Sequence, residues 1–266
     1  MPISEHKKDK LEDKELDGAI TDSFERKELI RIYAVDATFT AVTFKQAKLL
    51  ECYFRNCTFI RCDFTGTQIK DCNFKGSTFE SCQFRYTSWE KTILDGEFLD
   101  RCLPPEENLA RDLVRSLRVN FAQIGNYDAV NKAAAIEVKL TGTHLYNAAY
   151  SKQTYYRSLE KYQGLNRWKY IGGHFLWKLL DLLWGNGESL LRVLLSGSVA
   201  VGVAAMWLMN SLPNSRFLDA YYWAFLSFWG LPVQSVPIPL LVTMTATRFV
   251  LFGLFMAILV KRLSRR

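Results

Sequence analysis

The sequence predicts a mixed fold: a four-sided β-solenoid, then a few helices, then a membrane module with two spans. Three observations predict it. Apolar residues recur every five positions across much of the first hundred residues, two later stretches are long and apolar, and basic runs flank those stretches. A five-residue period fits neither a helix nor a flat strand, whereas about twenty apolar residues cross a bilayer core.

The solenoid is predicted over residues 24–102, after a highly charged stretch, residues 1–23, that we expect to be disordered. Every fifth residue is large and apolar, namely Phe39, Phe44, Leu49, Phe54, Phe59, Phe64, Ile69, Phe74, Phe79, Phe84, Trp89 and Leu94. The residue two positions earlier is always small or compact, namely Ala37, Val42, Ala47, Cys52, Cys57, Cys62, Thr67, Cys72, Ser77, Cys82, Thr87 and Thr92. A chain that turns a corner every five residues points both sets inward, and stacked coils of twenty residues bury a continuous core.

This pattern resembles the pentapeptide-repeat family, whose repeat is a small residue, a polar residue, then Leu or Phe. The resemblance covers about residues 36–100 and implies a right-handed quadrilateral β-helix. Some members of that family mimic DNA with a strongly acidic surface. Residues 36–100 contain eight Lys or Arg and nine Asp or Glu, so this surface is nearly neutral and we expect no nucleic-acid mimicry or partner.

Five of the six cysteines occupy the small inward position, where Cys acts as a compact apolar side chain. Stacking would place Cys52 over Cys72 and Cys62 over Cys82, so a disulfide, redox or metal role stays open beside this interpretation. No signal peptide is apparent ahead of the repeats, and we expect a reducing cytoplasm around them. The three histidines are scattered and no catalytic grouping emerges, so we expect no enzyme and no cofactor.

Residues 103–173 predict a small helical adaptor. Its first helix carries one apolar stripe, made of Leu109, Leu113, Leu117 and Phe121. A second helix is expected from 129 to about 140, and a third after it. Residues 174–188 begin with HFLWKLLDLLW, which is too short to span a bilayer and suits an amphipathic helix lying in the interface.

Residues 189–266 predict the membrane module. Residues 193–215 and 239–260 are long enough to cross a bilayer, and basic runs at 167–169 and 261–266 flank them. The positive-inside bias places both termini in the cytoplasm of a multi-pass protein, which we expect in the cell (inner) membrane. Between the spans, a short helix from Asp219 to Gly230 precedes an irregular, proline-containing segment. Such a re-entrant helix needs surrounding protein or a water-filled cavity, so we expect a homo-oligomer, a tetramer, around a pore.

Residues 174–266 resemble the bacterial two-span potassium-channel-like pore domain in the version attached to pentapeptide repeats. FLDAYYWAFLSF stands where that family has its pore helix, and FGLFMAILVKRLSRR resembles its inner helix. The resemblance implies a filter region made of Ser227, Phe228, Trp229, Gly230, Leu231, Pro232, Val233, Gln234 and Ser235. Pro232 and Gln234 stand where the filter glycines belong. We therefore expect a pore that is non-selective, differently selective or closed.

Arg248 lies near the middle of the second span, where a charge is costly and usually faces protein or water. Two interpretations stay open: a cationic ring that lines an anion-permeable pore, or an arginine that snorkels or pairs with Asp219. The whole sequence favours a pore or ion-channel-like membrane protein whose cytoplasmic β-helix senses a signal or docks a protein. The alternative is a non-conducting, membrane-anchored scaffold that recruits a partner through the β-helix.

Overall fold

A computed structural model describes residues 9–211, 216–233 and 236–263. The chain divides into two compact units, residues 1–156 and 157–266. The first unit contains a β-solenoid and the helices that follow it directly. The second contains the apolar helices.

The solenoid is built from short strands that pair in parallel with the strand one coil away. The strands are β1 (Lys10–Glu12), β2 (Ala19–Ile20), β3 (Glu28–Ile30), β4 (Tyr33–Val35), β5 (Thr38–Thr40), β6 (Lys48–Leu50), β7 (Tyr53–Arg55), β8 (Thr58–Ile60), β9 (Gln68–Lys70), β10 (Thr78–Glu80) and β11 (Ser88–Glu90). They form sheets in the orders β1-β3-β6-β9-β11, β2-β5-β8-β10 and β4-β7. Phe39 pairs with Phe59 and Phe59 with Phe79, so each of these coils contains the predicted twenty residues.

The corners of the solenoid are left-handed backbone positions. Every fifth residue from Arg31 to Lys91 has a positive φ, between 47° and 74°. Only Gly66 and Gly76 in this series lack a side chain. Such a conformation costs a non-glycine residue about 1–2 kcal/mol. The stacked coils must therefore offset a strain that recurs at nearly every corner.

The core of the solenoid confirms the five-residue period. Every predicted large inward residue from Phe39 to Leu94 is buried, and the small inward positions are buried except for the half-buried Ser77 and Cys82. Phenylalanine rings stack between coils, with centroid separations of 4.7 Å for Phe39–Phe59 and 5.0 Å for Phe59–Phe79. Offset or stacked ring pairs at such distances contribute beyond the area that they bury.

The N-terminal part of the solenoid differs from the sequence prediction. Within residues 1–23, predicted as a disordered lead, residues 1–8 lie outside the described residues, but β1 and β2 form strands. Leu11 pairs with Leu29 and Ile20 with Phe39, offsets of 18 and 19 residues. The apolar positions there are four or five residues apart, because the coil has short sides. Because this irregular spacing does not fit a strict five-residue period, the period alone does not predict the first coil.

Five of the six cysteines lie in the stacked small positions, and all six have free thiols. The backbone N–H of Cys52 donates to Sγ of Cys72 at 3.4 Å, and Cys62 and Cys82 repeat the arrangement at 3.4 Å. Burial raises the pKa of the Cys57 thiol, and raises that of Cys102 to about 12. Protonated, buried thiols such as these two are poor metal ligands and nucleophiles. Among the described residues, no three His, Cys, Asp or Glu side chains form a group able to hold a metal.

We expect Cys57→Ala to lower the free energy of unfolding by no more than about 1 kcal/mol, because an alanine already fills the equivalent positions 37 and 47. The hydrogen bond from the Cys57 N–H to Ser77 Oγ, at 3.0 Å, involves only the backbone of Cys57, so it survives the change. Denaturant unfolding of the full-length protein in detergent measures this. A loss of several kcal/mol would instead indicate that the thiol holds a ligand or a disulfide partner.

Two helices close the C-terminal end of the solenoid. α1 (Phe98–Arg101) inserts Phe98 against Phe84 and Trp89, at centroid distances of 4.7 Å and 5.3 Å. α2 (Glu107–Gln123) lies along β11, and Leu113, Leu117 and Phe121 of its predicted apolar stripe are buried in the same core, while Leu109 is buried outside it. The last coil is thus covered by helices rather than left as an open edge, which would expose unpaired backbone groups.

α2 also replaces the missing next coil with polar side chains. Ser116 Oγ accepts from the Trp89 N–H at 3.0 Å, and Gln123 Oε1 accepts from the Lys91 N–H at 3.0 Å. Asn120, fully buried, accepts from the Thr92 N–H at 2.7 Å and donates to the Thr92 carbonyl at 2.8 Å. These three side chains hydrogen-bond to the backbone of the last coil, as a further strand would.

The next helix of this region is longer than the sequence predicts. α3 (Tyr127–Tyr150) is continuous where two helices were expected, and α4 (Thr154–Ser158) spans the boundary between the units. α3 packs along α2. Gly142, which lies past the predicted end of the second helix, is buried within this continuous helix, where packing overrides its weak helix propensity.

The second unit consists of α5 (Gly164–Trp184), α6 (Leu190–Ser211), α7 (Phe217–Trp229) and α8 (Ile238–Leu263). α5 begins ten residues before the predicted interfacial segment. α6 and α8 are long and apolar enough to cross a membrane, and only 22% and 17% of their most apolar windows are buried. A core helix of a water-soluble protein would be mostly buried, so these exposed apolar surfaces suggest membrane association.

Candidate functional site: the α6–α7–α8 module

α7 is the short helix expected between the two spans. It begins after Arg216, contains Asp219 in its first turn and ends at Gly230, whose φ of 79° is a left-handed C-cap. The Leu231 N–H donates back to the Leu226 carbonyl at 2.9 Å, which completes the cap. Thirteen residues of helix extend about 20 Å, less than the bilayer core of about 30 Å.

α7 packs between α6 and α8 through its small residues and leaves its large ones outside. Ala220, Ala224 and Ser227 are buried against α6 and α8. The opposite stripe is exposed and consists of Leu218, Tyr222, Phe225 and Trp229. Residues four, three and four apart lie on one face of a helix, so α7 presents a continuous aromatic surface that its own chain does not cover.

The predicted filter residues split between this helix and the segment after it. Ser227, Phe228 and Trp229 form the last turn of α7, and the Ser227 hydroxyl donates to the Trp223 carbonyl at 2.8 Å. Gly230, Leu231, Pro232 and Val233 are irregular. Gln234 and Ser235 lie outside the described residues. The backbone from 231 to 233 therefore lacks regular pairing.

Arg248 lies against the C-terminal end of α7. A Cβ atom added at Gly230 would clash with Nη1 of Arg248, so the guanidinium occupies the space that the missing side chain leaves. The guanidinium also lies over the Phe249 ring, 5.2 Å from its centroid. The C-terminal end of a helix carries about half a negative charge, which favours a cation there.

Arg248 and Asp219 do not meet within one chain. Asp219 lies in the first turn of α7 and Arg248 at its last, about 16 Å apart at 1.5 Å per residue. No carboxylate of the described residues lies within 4.0 Å of the Arg248 guanidinium. Within a single chain, the predicted pair with Asp219 is therefore not formed, because the Arg248 side chain lies at Gly230, at the opposite end of α7.

A cavity of about 390 Å³ opens beside this contact, between α6, α7 and α8. Its walls are mainly apolar and aromatic, and Arg248 is the one charged residue among the described residues that line it. At Gly197 of α6, an added Cβ would lie 3.6 Å from the Phe228 ring and 3.8 Å from Leu251. The small residue lets these three helices approach closely, as is common between membrane helices.

The basic end of α8 is fastened to the turn between α5 and α6. Lys261 pairs with Glu188, and Arg262 donates to the Glu188 carbonyl at 3.0 Å. Arg192 pairs with Asp181 at 2.7 Å. The sequence predicts Lys261 and Arg262 only as a basic flank of the second span. The structure adds that they join the ends of α5, α6 and α8 at one level.

We expect Gly230→Ala to destabilise the second unit by about 1–2 kcal/mol through its positive φ, and by up to about 2 kcal/mol more because the guanidinium must leave the helix end. Thermal unfolding in detergent measures the loss. Gly164→Ala is the matched control, since Gly164 also has a positive φ, of 53°, but no atom within 4 Å of the added Cβ. The excess over this control should disappear in an Arg248→Ala background. An unchanged excess there would contradict the Gly230–Arg248 contact.

Residues 34–104 match the family model described as "Pentapeptide repeat region". These residues form a pentapeptide repeat region. Among solved structures, the chain is similar to the crystal structure of a pentapeptide repeat protein from the thylakoid lumen of Arabidopsis thaliana, with 13% identity over 35% of this chain and 77% of that chain and a TM-score of 0.17. No curated protein matches the chain.

The family match ends at residue 104, so it does not extend to the second unit. There the described geometry stands alone, with two long apolar helices, a short helix between them and an arginine within the second long helix. The resemblance of residues 174–266 to a potassium-channel-like pore domain stays a prediction.

Proposed function

We propose that this chain is a membrane pore protein that assembles as a homo-oligomer, a tetramer, with its solenoid in the cytoplasm. α6 and α8 cross the membrane, α7 re-enters it, and both termini lie on the cytoplasmic side. The right-handed quadrilateral solenoid acts as a sensor or docking module. It has no enzymatic role.

The observation that supports this proposal is that α7 has an apolar surface which its own chain leaves uncovered. The helix is too short to cross, exposes an aromatic stripe, and leads into irregular backbone at 231–233. In lipid, irregular backbone persists only where protein covers it or water fills a cavity beside it. A ring of identical copies supplies both, since one copy covers the next and the ring encloses the water.

Orientation is supported by charge. Lys261 and Arg262 lie at the C-terminal end of α8, and Arg192 lies at the start of α6. Basic residues at the ends of spans favour the cytoplasmic side. The same side then holds the chain that leads back to the solenoid.

Pro232 favours a second candidate, a non-conducting scaffold that the two spans anchor and that recruits a protein through the solenoid. A proline fixes φ and removes the N–H, which restricts the carbonyls from turning inward to line a filter. The scaffold would need α7 only as a packing element.

Planar-bilayer recording of purified full-length protein separates the two. We expect discrete current steps whose open-pore selectivity is not that for potassium. A variant with Ala224→Trp serves as the control. The tryptophan does not fit at this buried position of α7 inside its own chain, so the variant should lose the current steps. Absence of current from the wild-type protein at every voltage and salt composition would reject the pore and favour the scaffold.

A further inference from the structure

The cavity between α6, α7 and α8 combines apolar walls with one charged side chain. Its walls are apolar and include Val201, Phe225, Phe228, Leu251, Phe252 and Phe255. Its volume, about 390 Å³, lies within the usual range for small-molecule sites, roughly 300–1,000 Å³. Arg248 adds a full positive charge to these walls.

The charge of Arg248 is only partly compensated inside its own chain. The C-terminal end of α7 supplies about half a negative charge. The described residues provide no carboxylate within 4.0 Å, and the other contact of the guanidinium is the Phe249 ring. A guanidinium has five N–H donors in a planar fork, so it retains donors that can bind an anion.

The chemistry of the walls limits which anion fits. A small inorganic ion would pair with Arg248 and leave the apolar walls unused. A neutral acyl chain would fill the walls and leave the guanidinium without a full counter-charge. An ion that joins a carboxylate to an apolar chain satisfies both, because a carboxylate accepts two parallel N–H bonds from one guanidinium.

We propose that this cavity binds a single-chain amphiphilic carboxylate, a fatty acid taken from the bilayer. Its carboxylate lies on Arg248 at the end of α7, and its chain lies against the aromatic wall of α7 and α8. Gly230 is part of the site, because a side chain there would displace the guanidinium. The proposal rests on the membrane placement of α6 and α8 and does not require that the protein conducts.

The test measures quenching of tryptophan fluorescence by a brominated fatty acid, with full-length protein in phosphatidylcholine nanodiscs. Trp229 lines the cavity, so it reports directly on the bound chain. We expect saturable quenching that Trp229→Phe largely removes. Arg248→Gln should weaken the apparent affinity about tenfold, the effect of losing one charge-assisted contact. The corresponding brominated alcohol should bind about tenfold more weakly to the wild type and equally to both proteins.

The control is Arg262→Gln, which removes a cation from the same helix at a bond to the Glu188 carbonyl, away from the cavity lining. It should leave the affinity unchanged. Arg248→Lys keeps the charge and should bind the brominated fatty acid more tightly than Arg248→Gln does. If the glutamine variant assembles poorly, the lysine variant keeps the test valid.

Several results would overturn the proposal: equal affinity for acid and alcohol, an Arg248→Gln affinity equal to the wild type, an equal loss in Arg262→Gln, or quenching that remains in Trp229→Phe. Displacement of the probe by phosphatidylglycerol but not by an unlabelled fatty acid would assign the site to a phospholipid instead. Loss of binding in a protein that still conducts would reject this site alone, and binding without current would reject the pore alone.

Discussion

Phe59→Asp unfolds the solenoid. Phe59 is fully buried, stacks on Phe39 and Phe79, and makes edge contacts with Phe44, Phe54 and Phe64. Removing a buried phenylalanine costs about 3–5 kcal/mol, and a buried carboxylate without a partner adds several more. Domains are typically stable by about 5–15 kcal/mol. We expect loss of the β-sheet signal in circular dichroism of the full-length protein at room temperature.

The matched control is Thr78→Asp. It adds the same carboxylate on an exposed, outward position next to the inward Phe79, and should change the free energy of unfolding by less than about 0.5 kcal/mol. A Phe59→Asp protein that melts at the same temperature as the wild type would show that the large residues of the repeat do not form the buried core.

The second large effect is expected for Asn120→Leu. The change keeps a similar volume but leaves both the N–H and the carbonyl of Thr92 without their partner in a buried place. An unsatisfied buried backbone group costs about 1–3 kcal/mol, so the two together lower the free energy of unfolding by about 2–6 kcal/mol. Denaturant unfolding followed by circular dichroism measures the change.

Gln123→Ala provides the comparison for that variant. Its side chain makes the same kind of bond, to the Lys91 N–H, but at an exposed site where water can replace it. We expect a loss below about 1 kcal/mol. An Asn120→Leu protein as stable as Gln123→Ala would mean that α2 covers the last coil by apolar contact alone.

The inward residues of the solenoid could be predicted from the sequence because burial acts on side chains, and side-chain type repeats. Phe59 and Cys57 follow from the spacing alone. The corners could not be predicted, because residues such as Arg31 and Glu51 have no preference for a positive φ. They adopt it only because the stacked coils require it.

The closure of the solenoid was missed for a different reason. Ser116, Asn120 and Gln123 lie on one side of an amphipathic helix, where polar residues ordinarily face water. Only the position of α2 beside β11 reveals that Asn120 is buried and bonded to Thr92. A fully polar residue between the apolar Leu117 and Phe121 was the one available signal.

In the second unit, the helix that begins near Asp219 and ends at Gly230 is confirmed, and so are two helices long enough to cross a membrane. The contact between Gly230 and Arg248 could not be predicted. The two residues are eighteen positions apart on different helices, and no periodicity relates them. The tertiary fold alone decides which end of α7 the arginine meets.

Native mass spectrometry of the full-length protein in nanodiscs is the most direct test of whether other copies of the chain cover the exposed surface of α7. We expect a tetramer, with four copies covering the part of the exposed stripe that lies outside the cavity, Leu218 and Tyr222. Replacing Tyr222 with Lys on that exposed stripe should reduce the tetramer, while replacing Val203 with Leu, on an exposed face of α6, should not. A wild-type protein that remains a monomer in nanodiscs would contradict the pore, since one copy encloses no path through the membrane.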